Sequence, residues 1–314
     1  MPRVAAIDCG TNSIRLLVAD VTKRDDGTSW LRDVHREQRV VRLGQGVDAT
    51  GMLNPEALER TRVALADYTA ILRRKGAESV RMVATSATRD ASNRDDFFGM
   101  TESLLGAPAE VISGDEEAAL AFTGAVGDMD PDEGPFLVVD VGGGSTELVL
   151  GTWDGVKATP QAARSTDIGC VRITERCLRS DPPTAGEIEE ARELARQVLR
   201  AAFDVVPVDQ ARTWIGVAGT ATTMAAISLG LPEYDSDAIH LSRIAKPKLI
   251  ETSEQLLTLN HQERAANPVI HPGRVDVIGG GSLIFQVLAE RLTEIDDLTV
   301  SEHDILDGIA LSQV

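Results

Sequence analysis

The sequence predicts an α/β protein built from two similar domains. Two observations support this: segments typical of strands alternate with segments typical of helices in the first half, and the opening strand, turn, strand pattern returns in the second half. A length of 314 residues suits about two domains, each with its own core. We therefore expect one domain at residues 1–122 and another at residues 123–314.

The elements of the first half are predicted from apolar runs and from the residues that start and stop them. Asn54 and Pro55 are typical of a helix start, and the apolar residues that follow form one stripe until Gly76 ends the helix. A second helix is expected around residues 93–105. The predicted strands span residues 4–7, 14–21, 38–43, 79–84 and 109–113.

The second half repeats the start of the first. "AIDCGTNSIRLLV" aligns with "VVDVGGGSTELVL" at a constant offset of 132 residues, which places Asp8 on Asp140 and Ser13 on Ser145. Each copy reads as a strand, an aspartate, a glycine-containing hairpin turn, a hydroxyl residue and a second strand. Two domains that face each other, each presenting one such turn to a shared cleft, would explain both the length and the repeat.

The chemistry of these turns suits phosphate. Glycines allow positive φ and carry no side chain, so that successive backbone N–H groups can point into one concavity and bind an anion. The hydroxyls of Ser13, Ser145 and Thr146 can add donors, whereas Asp140 and Glu147 would repel phosphate unless a divalent cation lay between them. For a single copy, a plain tight hairpin would be the favoured explanation; two copies with matching Asp and Ser residues favour the phosphate interpretation instead.

Residues 111–126, "VISGDEEAALAFTGAV", supply a candidate general base. Ser113 and Glu116 have the spacing of a capping box at a helix start, which gives Glu116 a structural role. Glu117 shares a helix face with Leu120 and Ala121, the side expected to pack inward. A carboxylate in a partly dry environment is a candidate base, because burial raises its proton affinity. A contact of Glu117 with the helix dipole is the alternative.

Charge and composition exclude several classes of function. A net charge of −18 argues against nucleic acid or an anionic membrane as a partner, since both need a positive surface. Three cysteines are too few for a disulfide framework and favour a reducing cytoplasm. The apolar start is cut by Asp8, so we expect no secretion signal. Residues 213–232 carry no charge, but their many Gly, Ser and Thr residues favour a strand and helix start over a membrane span.

These segments resemble the exopolyphosphatase and guanosine pentaphosphate phosphatase (Ppx/GppA) family, within the actin, sugar kinase and heat-shock ATPase superfamily. The resemblance runs through nearly the whole chain, and its blocks occur in one specific order, which a lone glycine-rich loop would not match. The blocks include "AAIDCGTNSIRLLVAD", "VATSATRDASN", "VISGDEEA", "LVVDVGGGSTELVLG", "VAGTATTMAAI" and "RVDVIGGGSLIFQVLAERL". The resemblance implies two ribonuclease H-like (actin-like ATPase) domains with an interdomain cleft, and it allows the last helix to cross back and pack on the first domain.

The resemblance also implies roles for individual residues. Glu117 matches the family's catalytic glutamate, which activates a water, and Arg89 matches an arginine that neutralises substrate charge. The expected metal ligands are Asp140, Glu147 and, at the matching position of the first turn, Asp8. The expected phosphate-binding residues are Asn12, Ser13, Arg89, Gly143, Gly144, Ser145 and Thr146. The expected cofactor is Mg²⁺, with Mn²⁺ as the alternative.

The function implied is hydrolysis of the terminal phosphoanhydride of inorganic polyphosphate, with release of orthophosphate. Polyphosphorylated guanosine nucleotide is the alternative substrate, and a non-catalytic nucleotide-binding module and a sugar kinase are the alternatives from other classes. Longer family members carry further C-terminal helical domains beyond the point that corresponds to Val314, so short chains are the expected polyphosphates. A homodimer is expected by analogy. We expect no metal site of the His-Asp phosphohydrolase kind at His303 and Asp304, because only five histidines are present and none has suitable spacing.

Overall fold

The structure is a computed structural model that describes all residues from Met1 to Val314. The chain divides into two compact units. Unit 1 comprises residues 1–127, 154–158 and 304–314, and unit 2 comprises residues 128–153 and 159–303. None of the helices combines the length and the apolar character that crossing a bilayer requires.

Eleven strands and thirteen helices make up the two units. The strands are β1 Arg3–Cys9, β2 Ser13–Lys23, β3 Ser29–Val40, β4 Ser79–Ala84, β5 Glu110–Val111, β6 Phe136–Val141, β7 Thr146–Trp153, β8 Ala158–Thr166, β9 Thr213–Val217, β10 Ser242–Ala245 and β11 Asp297–Val300. The helices are α1 Val47–Thr50, α2 Pro55–Lys75, α3 Ser86–Asp90, α4 Arg94–Leu105, α5 Gly114–Ala125, α6 Cys170–Cys177, α7 Ala185–Phe203, α8 Ala218–Ser228, α9 Ser236–Ile239, α10 Lys246–Thr258, α11 His261–Ala265, α12 Ile278–Arg291 and α13 Ile305–Leu311.

The two sheets repeat one topology. In unit 1 the strand order is β3-β2-β1-β4-β5, with β2 antiparallel to β1 and with β4 and β5 parallel to it. In unit 2 the order β8-β7-β6-β9-β11 is the same, and β10 adds an antiparallel sixth strand at the edge. This order is that of ribonuclease H-like domains, so the α/β class with two similar domains is confirmed. In both sheets, the carboxyl ends of the parallel strands meet at one edge, where α/β proteins place their sites.

The period-2 pattern of the strands explains how the unit 1 sheet is covered on both faces. Along β1, Val4 and Ala6 join one apolar cluster, and Ala5, Ile7 and Cys9 join another. The first cluster includes residues of α5 and α13, and the second includes residues of α2 and α4. Because both faces are buried, β1 reads in the sequence as a continuous apolar run.

Helix ends occur where capping residues predict them. The Asn54 side chain accepts a hydrogen bond from the Glu56 amide at the start of α2, and Gly76 ends this helix in the left-handed region with φ 71°. Thr184 and Glu187 form a reciprocal capping box on α7. The Ser113 side chain accepts from the Glu116 amide at 3.2 Å, which fixes the start of α5. Local sequence therefore sets these boundaries.

The last helix, α13, packs on α5 within unit 1 at very close range. A Cβ atom added at Gly308 would lie 2.0 Å from the Leu120 carbonyl oxygen, and one added at Gly124 would lie 1.8 Å from the Asp304 carbonyl oxygen. Glycine at both positions lets the two backbones touch. The C-terminal residues therefore complete the core of the unit that the N-terminal residues begin.

Three elements of the first half illustrate how the structure differs from the sequence prediction. β3 runs from Ser29 to Val40, whereas only 38–43 was predicted, because most of its residues are polar, as is typical of a sheet edge. Helix α3 was not predicted, because five residues are too few to show helical periodicity. β5 spans only Glu110–Val111, two of the five residues expected.

Candidate active site

Two carboxylates lie opposite each other at the carboxyl edge of the unit 2 sheet. Asp140 on β6 and Glu147 on β7 are directly paired in the antiparallel register, so their side chains share one face of the sheet. Asp140 is 7% exposed and Glu147 is 1% exposed. The Ser165 hydroxyl donates a hydrogen bond of 2.6 Å to Glu147 Oε1 and orients it. Two carboxylates that face each other across a strand pair and are shielded from solvent are typical of a site for a cation.

The donor set of this pair fits Mg²⁺ or Mn²⁺. Both ligands are hard carboxylate oxygens on rigid strands, the kind that these ions prefer. We call Asp140 and Glu147 the acid pair.

The glycine turn that joins the two strands is held in place from behind. The amides of Cys170 and Val171, at the start of α6, donate hydrogen bonds of 2.9 Å to the carbonyl oxygens of Gly142 and Gly143. In a trans peptide the N–H points away from the C=O of the same unit. The amides of Gly143 and Gly144 therefore point away from α6, as an anion-binding nest requires.

Space, and not positive φ, favours glycine at the second turn. Neither Gly10 nor Gly142 uses the positive φ that glycine allows, and a Cβ at Gly10 would make only an ordinary contact, 3.5 Å from the Ser13 carbonyl oxygen. A Cβ at Gly142 would lie 3.2 Å from the Ser145 carbonyl oxygen. A Cβ at Gly169, the residue before α6, would lie 2.5 Å from the backbone of Gly143. The close approach of two backbones is the constraint that selects glycine here.

The two hydroxyls after this turn differ in what they can do. Thr146 is fully buried, and its hydroxyl donates a hydrogen bond of 2.6 Å to the Ile168 carbonyl. Its proton is thereby committed, so the geometry does not support the phosphate-donor role predicted for this side chain. The Ser145 hydroxyl, in contrast, donates no hydrogen bond within the protein. Ser145 is the better donor to phosphate.

The first turn, in unit 1, has the same backbone shape. The Gly10 amide donates to the Ser13 carbonyl at 3.0 Å, and the Gly142 amide donates to the Ser145 carbonyl at 3.1 Å. The Thr11 and Ser86 hydroxyls are 2.8 Å apart, which ties the turn to the start of α3. The predicted phosphate-binding residues Asn12 and Ser13 belong to this turn, and the Asn12 carbonyl accepts from the Val41 and Arg42 amides at 3.1 and 2.8 Å.

The charge opposite the aspartate differs between the two turns. Asp8 is paired with Arg15 in the register of β1 and β2, where the second copy has Glu147 opposite Asp140. Arg15 donates to Asp8 Oδ2 from Nε at 3.0 Å and from Nη2 at 2.6 Å. Burial raises the pKa of the Asp8 carboxyl, against the opposing effect of the Arg15 charge. The first turn therefore has an arginine across the strand pair from its aspartate, whereas the second has a carboxylate at the matching position.

One oxygen of Asp8 nevertheless lacks a hydrogen-bond partner. Asp8 Oδ1 is buried and makes no hydrogen bond within the protein. A buried carboxylate oxygen without a partner is costly unless a ligand satisfies it. Asp8 thus keeps one ligand atom that suits a cation or a cation-bound water, in line with its predicted role.

Glu117 and Arg89 are brought together at the carboxyl edge of the unit 1 sheet. Glu117 lies in the first turn of α5 and is 8% exposed. Arg89 on α3 donates from Nη1 to the Ile112 carbonyl at 3.0 Å and reaches Glu117 Oε2 at 3.3 Å. The neighbouring Glu116 points elsewhere, since its carboxylate pairs with Arg81 at 2.7 Å. Glu117 is therefore inward and oriented, as its helix face predicts.

Several supporting residues were missed by the sequence analysis. Arg15, Ser165 and Gly169 contact the predicted ligands or turns. Arg15 lies inside the repeated segment "AIDCGTNSIRLLV" but was given no role, and Ser165 lies in no quoted segment. Gly169 belongs to the "DIGC" segment, whose glycine before a helix start is the only local signal.

The glycines of "VIGGGSL" allow close packing. A Cβ at Gly280 would lie 2.4 Å from the Thr174 hydroxyl oxygen, and one at Gly281 would lie 2.6 Å from the Thr220 side chain.

Comparison with known proteins gives consistent matches over the whole chain. The family model described as the Ppx/GppA phosphatase family matches residues 20–314. Exopolyphosphatase 2 of Mycobacterium tuberculosis is 57% identical over 320 aligned positions, which cover 99% of this chain and 98% of the relative. Guanosine-5'-triphosphate,3'-diphosphate pyrophosphatase of Vibrio vulnificus is 32% identical and is matched over 98% of this chain but 59% of its own length.

Solved structures agree with these matches. The crystal structure of an exopolyphosphatase-like protein superposes with a TM-score of 0.93 at 44% identity, covering 99% of this chain and 97% of that one. The resemblance predicted from the sequence blocks is thereby confirmed. By the family model and by full-length identity, this chain belongs to the Ppx/GppA phosphatase family.

Proposed function

We propose that this protein is an exopolyphosphatase, a hydrolase that removes the terminal phosphoryl group of inorganic polyphosphate as orthophosphate and depends on a divalent cation. The observation that carries the proposal is the pairing of Asp140 with Glu147 beside a glycine turn whose amides are aimed outward by α6. A buried acid pair next to an anion-binding turn suits a substrate that is itself a polyanion and arrives with a cation.

The proposed division of labour follows from the chemistry of phosphoryl transfer. In its loose transition state, charge is spread over the equatorial oxygens, so positioning and electrostatics supply most of the rate. The acid pair holds Mg²⁺ or Mn²⁺, which when bound neutralises charge on phosphate oxygens. The turn amides and the Ser145 hydroxyl bind the phosphoryl group. Asp8, the ligand that the family resemblance implies for the first turn, keeps its Oδ1 atom available for a cation.

Glu117 is the proposed general base. It is buried and oriented by Arg89, which keeps its carboxylate ready to accept a proton from the attacking water. The contacts that Arg89 makes within the protein use only Nη1, so its remaining N–H groups suit substrate oxygens, as the family resemblance implies. Arg89 would then both position the base and offset substrate charge.

The identity of the substrate is supported by the relatives. The relative with 57% identity over the full chain is named an exopolyphosphatase, whereas the guanosine nucleotide pyrophosphatases are about half as similar and are much longer. Inorganic polyphosphate is therefore the first choice. The guanosine nucleotide remains the alternative because the chemistry at the terminal phosphate is the same.

A substrate panel tests the proposal. Purified protein with Mg²⁺ is incubated in parallel with short polyphosphate, long polyphosphate, guanosine pentaphosphate and ATP, and free phosphate is measured. We expect the fastest release from polyphosphate. Faster release from guanosine pentaphosphate would favour the nucleotide alternative, and no release from any substrate would favour a binding module. Consumption of ATP only with an added sugar would favour a kinase.

Two further features of the proposal concern where the protein works and in what form. Cys9, Cys170 and Cys177 are all unbridged and buried, which agrees with a reducing cytoplasm. Burial also raises the pKa of the Cys170 thiol to about 11, so it is inert at neutral pH. A homodimer, proposed by analogy with related enzymes, is tested by sedimentation of the full chain.

A further inference from the structure

Three metal-ligating side chains converge in unit 2 outside the candidate active site. They are Asp128, His240 and His303, whose ligand atoms all lie within 4.8 Å of one another. Asp128 Oδ2 is 2.6 Å from His303 Nδ1 and 3.4 Å from His240 Nε2. The two imidazole rings pack with their centroids 4.6 Å apart. One carboxylate oxygen therefore faces two ring nitrogens; we call this group the His-His-Asp cluster.

We propose that the His-His-Asp cluster is a binding site for a transition-metal dication, with Zn²⁺ as the best match. Two imidazole nitrogens and a carboxylate oxygen suit Zn²⁺, Co²⁺ and Ni²⁺, whereas Mg²⁺ prefers oxygen ligands alone. Zinc lies about 2.0–2.2 Å from such ligands, so His303 and Asp128 need to separate only slightly to admit an ion. The Asp128, His240 and His303 side chains are 46%, 23% and 39% exposed, so an ion can enter and keep water in its open positions.

The cluster is a different site from the acid pair. The ligand atoms that converge within 4.8 Å of one another belong to Asp128, His240 and His303 and include none from the acid pair. Ligand atoms that share one zinc ion lie within about 4.4 Å of one another, because each is about 2.0–2.2 Å from the metal. A single ion therefore does not bind both groups. Their donors also select different ions, since one is all-oxygen and the other is rich in nitrogen.

The position of the cluster in the chain indicates a structural role. Unit 2 begins at Asp128 and its last residue is His303, so two of the three ligands stand where the chain enters and leaves this unit. His240 lies two residues before β10. An ion at the cluster would join these three segments, and we expect it to stabilise the folded protein by binding the native state alone.

The hydrogen bonds around His240 predict a signature of metal binding. His240 Nδ1 accepts a hydrogen bond of 3.2 Å from the Glu302 amide, so the neutral ring carries its proton on Nε2, which faces Asp128. When a metal binds Nε2, the ring proton moves to Nδ1. Two hydrogen-bond donors, Nδ1–H and the Glu302 N–H, then face each other. Binding must therefore break this hydrogen bond. The Glu302 carboxylate stays held by the Tyr234 hydroxyl at 2.6 Å, so the change remains local.

Calorimetric titration of the full chain with Zn²⁺ tests the proposal, with millimolar Mg²⁺ present to occupy the acid pair. We expect one Zn²⁺ per chain at micromolar affinity or tighter, weakened at least tenfold in both His303→Ala and His240→Ala. His261→Ala is the matched control, because His261 pairs with one carboxylate, Asp276, at 3.1 Å and belongs to no cluster. Absence of binding, or equal binding by wild type and His303→Ala, would overturn the proposal.

Two further readouts keep the test independent of misfolding and of the proposed enzyme activity. Asp128→Asn preserves the shape of the side chain, and a variant that melts like the wild type in metal-free buffer but binds Zn²⁺ at least tenfold more weakly supports the site. Amide exchange followed by NMR should show the Glu302 amide losing protection when Zn²⁺ is added. If that amide is unchanged while Zn²⁺ binds, the ion is elsewhere and the proposal fails. None of these measurements depends on turnover of phosphate.

Discussion

Arg15 and Glu147 occupy the same position in the two hairpins: each lies directly across an antiparallel strand pair from its hairpin's aspartate. Arg15 neutralises Asp8, whereas Glu147 adds a second negative charge beside Asp140. The duplicated turns have thus diverged at one cross-strand partner. In the proposed function, this difference favours unit 2 as the unit that binds the cation.

The acid pair predicts a cation-dependent stability that Glu147→Gln abolishes. A cation that binds the native state at ten times its Kd contributes about 1.4 kcal/mol, which corresponds to a rise of a few degrees in melting temperature. We expect Mg²⁺ or Mn²⁺ to raise the melting temperature of the wild type by this amount and to leave that of Glu147→Gln nearly unchanged. Ser165→Ala, which removes only a hydrogen bond to Glu147, should retain most of the shift. A full shift in Glu147→Gln would contradict the assignment.

The buried position of Glu117 predicts that its carboxylate is needed for turnover and not for binding. General-base catalysis supplies about 10² to 10⁴ in rate, so Glu117→Gln should lose that much in kcat while phosphate substrates still bind. Glu116→Gln is the matched control, since the adjacent Glu116 pairs with Arg81 at the surface. Steady-state kinetics of both variants checks this. Parental kcat in Glu117→Gln, or equal losses in the two variants, would remove Glu117 from its role.

The contact of Gly169 with Gly143 predicts that a single methyl group disturbs the turn that we propose to bind phosphate. In Gly169→Ala the new Cβ would lie 2.5 Å from the turn's backbone, which must move. A displacement of about 1 Å at a reacting group can cost 10²-fold in rate, so we expect a loss of that order in kcat/KM with the fold retained. Gly186→Ala in α7 has open space at its Cβ and should behave as wild type. Equal activity of the two variants would show that the turn is not positioned in this way.

The ion pairs of Asp20 predict that the stability of unit 1 depends in part on pH. This effect is independent of catalysis. Hydrogen bonds from Arg3 and Arg32 lower the pKa of the Asp20 carboxyl to about 2. A carboxyl whose pKa is lower in the folded than in the unfolded protein stabilises the fold fully at pH values above its unfolded-state pKa, roughly 3.9. This stabilisation is lost as the pH falls toward the folded-state pKa. Arg32 is 59% exposed and screened by solvent, so we expect Asp20→Asn to cost only about 1 kcal/mol at pH 7.

Urea unfolding of wild type and Asp20→Asn at pH 7 and at successively lower pH measures this difference. The gap between the two proteins should shrink below about pH 4. A gap that stayed constant with pH would mean that the loss comes from packing and not from charge.

Much of the fold could be predicted because its signals are local. The caps at Asn54 and Gly76 set α2, and the inward face of α5 follows from helical spacing around Glu117. The repeated hairpin was visible because both copies keep the aspartate, the glycine and the serine in one short segment. The α/β class then follows from the alternation of elements.

The rest could not be predicted because it depends on contacts between distant segments. The ion pair of Arg15 with Asp304 requires that the segment around α13 packs against the first sheet. No sequence pattern near either residue indicates this contact. The role of Gly169 appears only when α6 approaches the turn. The sequence analysis considered His303 only together with the adjacent Asp304. In the structure, His303 lies beside Asp128 and His240, which are far away in the sequence.

Hydrolysis of short polyphosphate in ¹⁸O-labelled water tests the central claim most directly, with mass spectrometry of the released orthophosphate and of the shortened chain. If a water activated by Glu117 attacks the terminal phosphorus, each orthophosphate carries one labelled oxygen from the first turnover and the shortened chain carries none. Label in the shortened chain would place the attack on the wrong phosphorus. Unlabelled orthophosphate in the first turnover would place a protein group, and not water, on the terminal phosphoryl group.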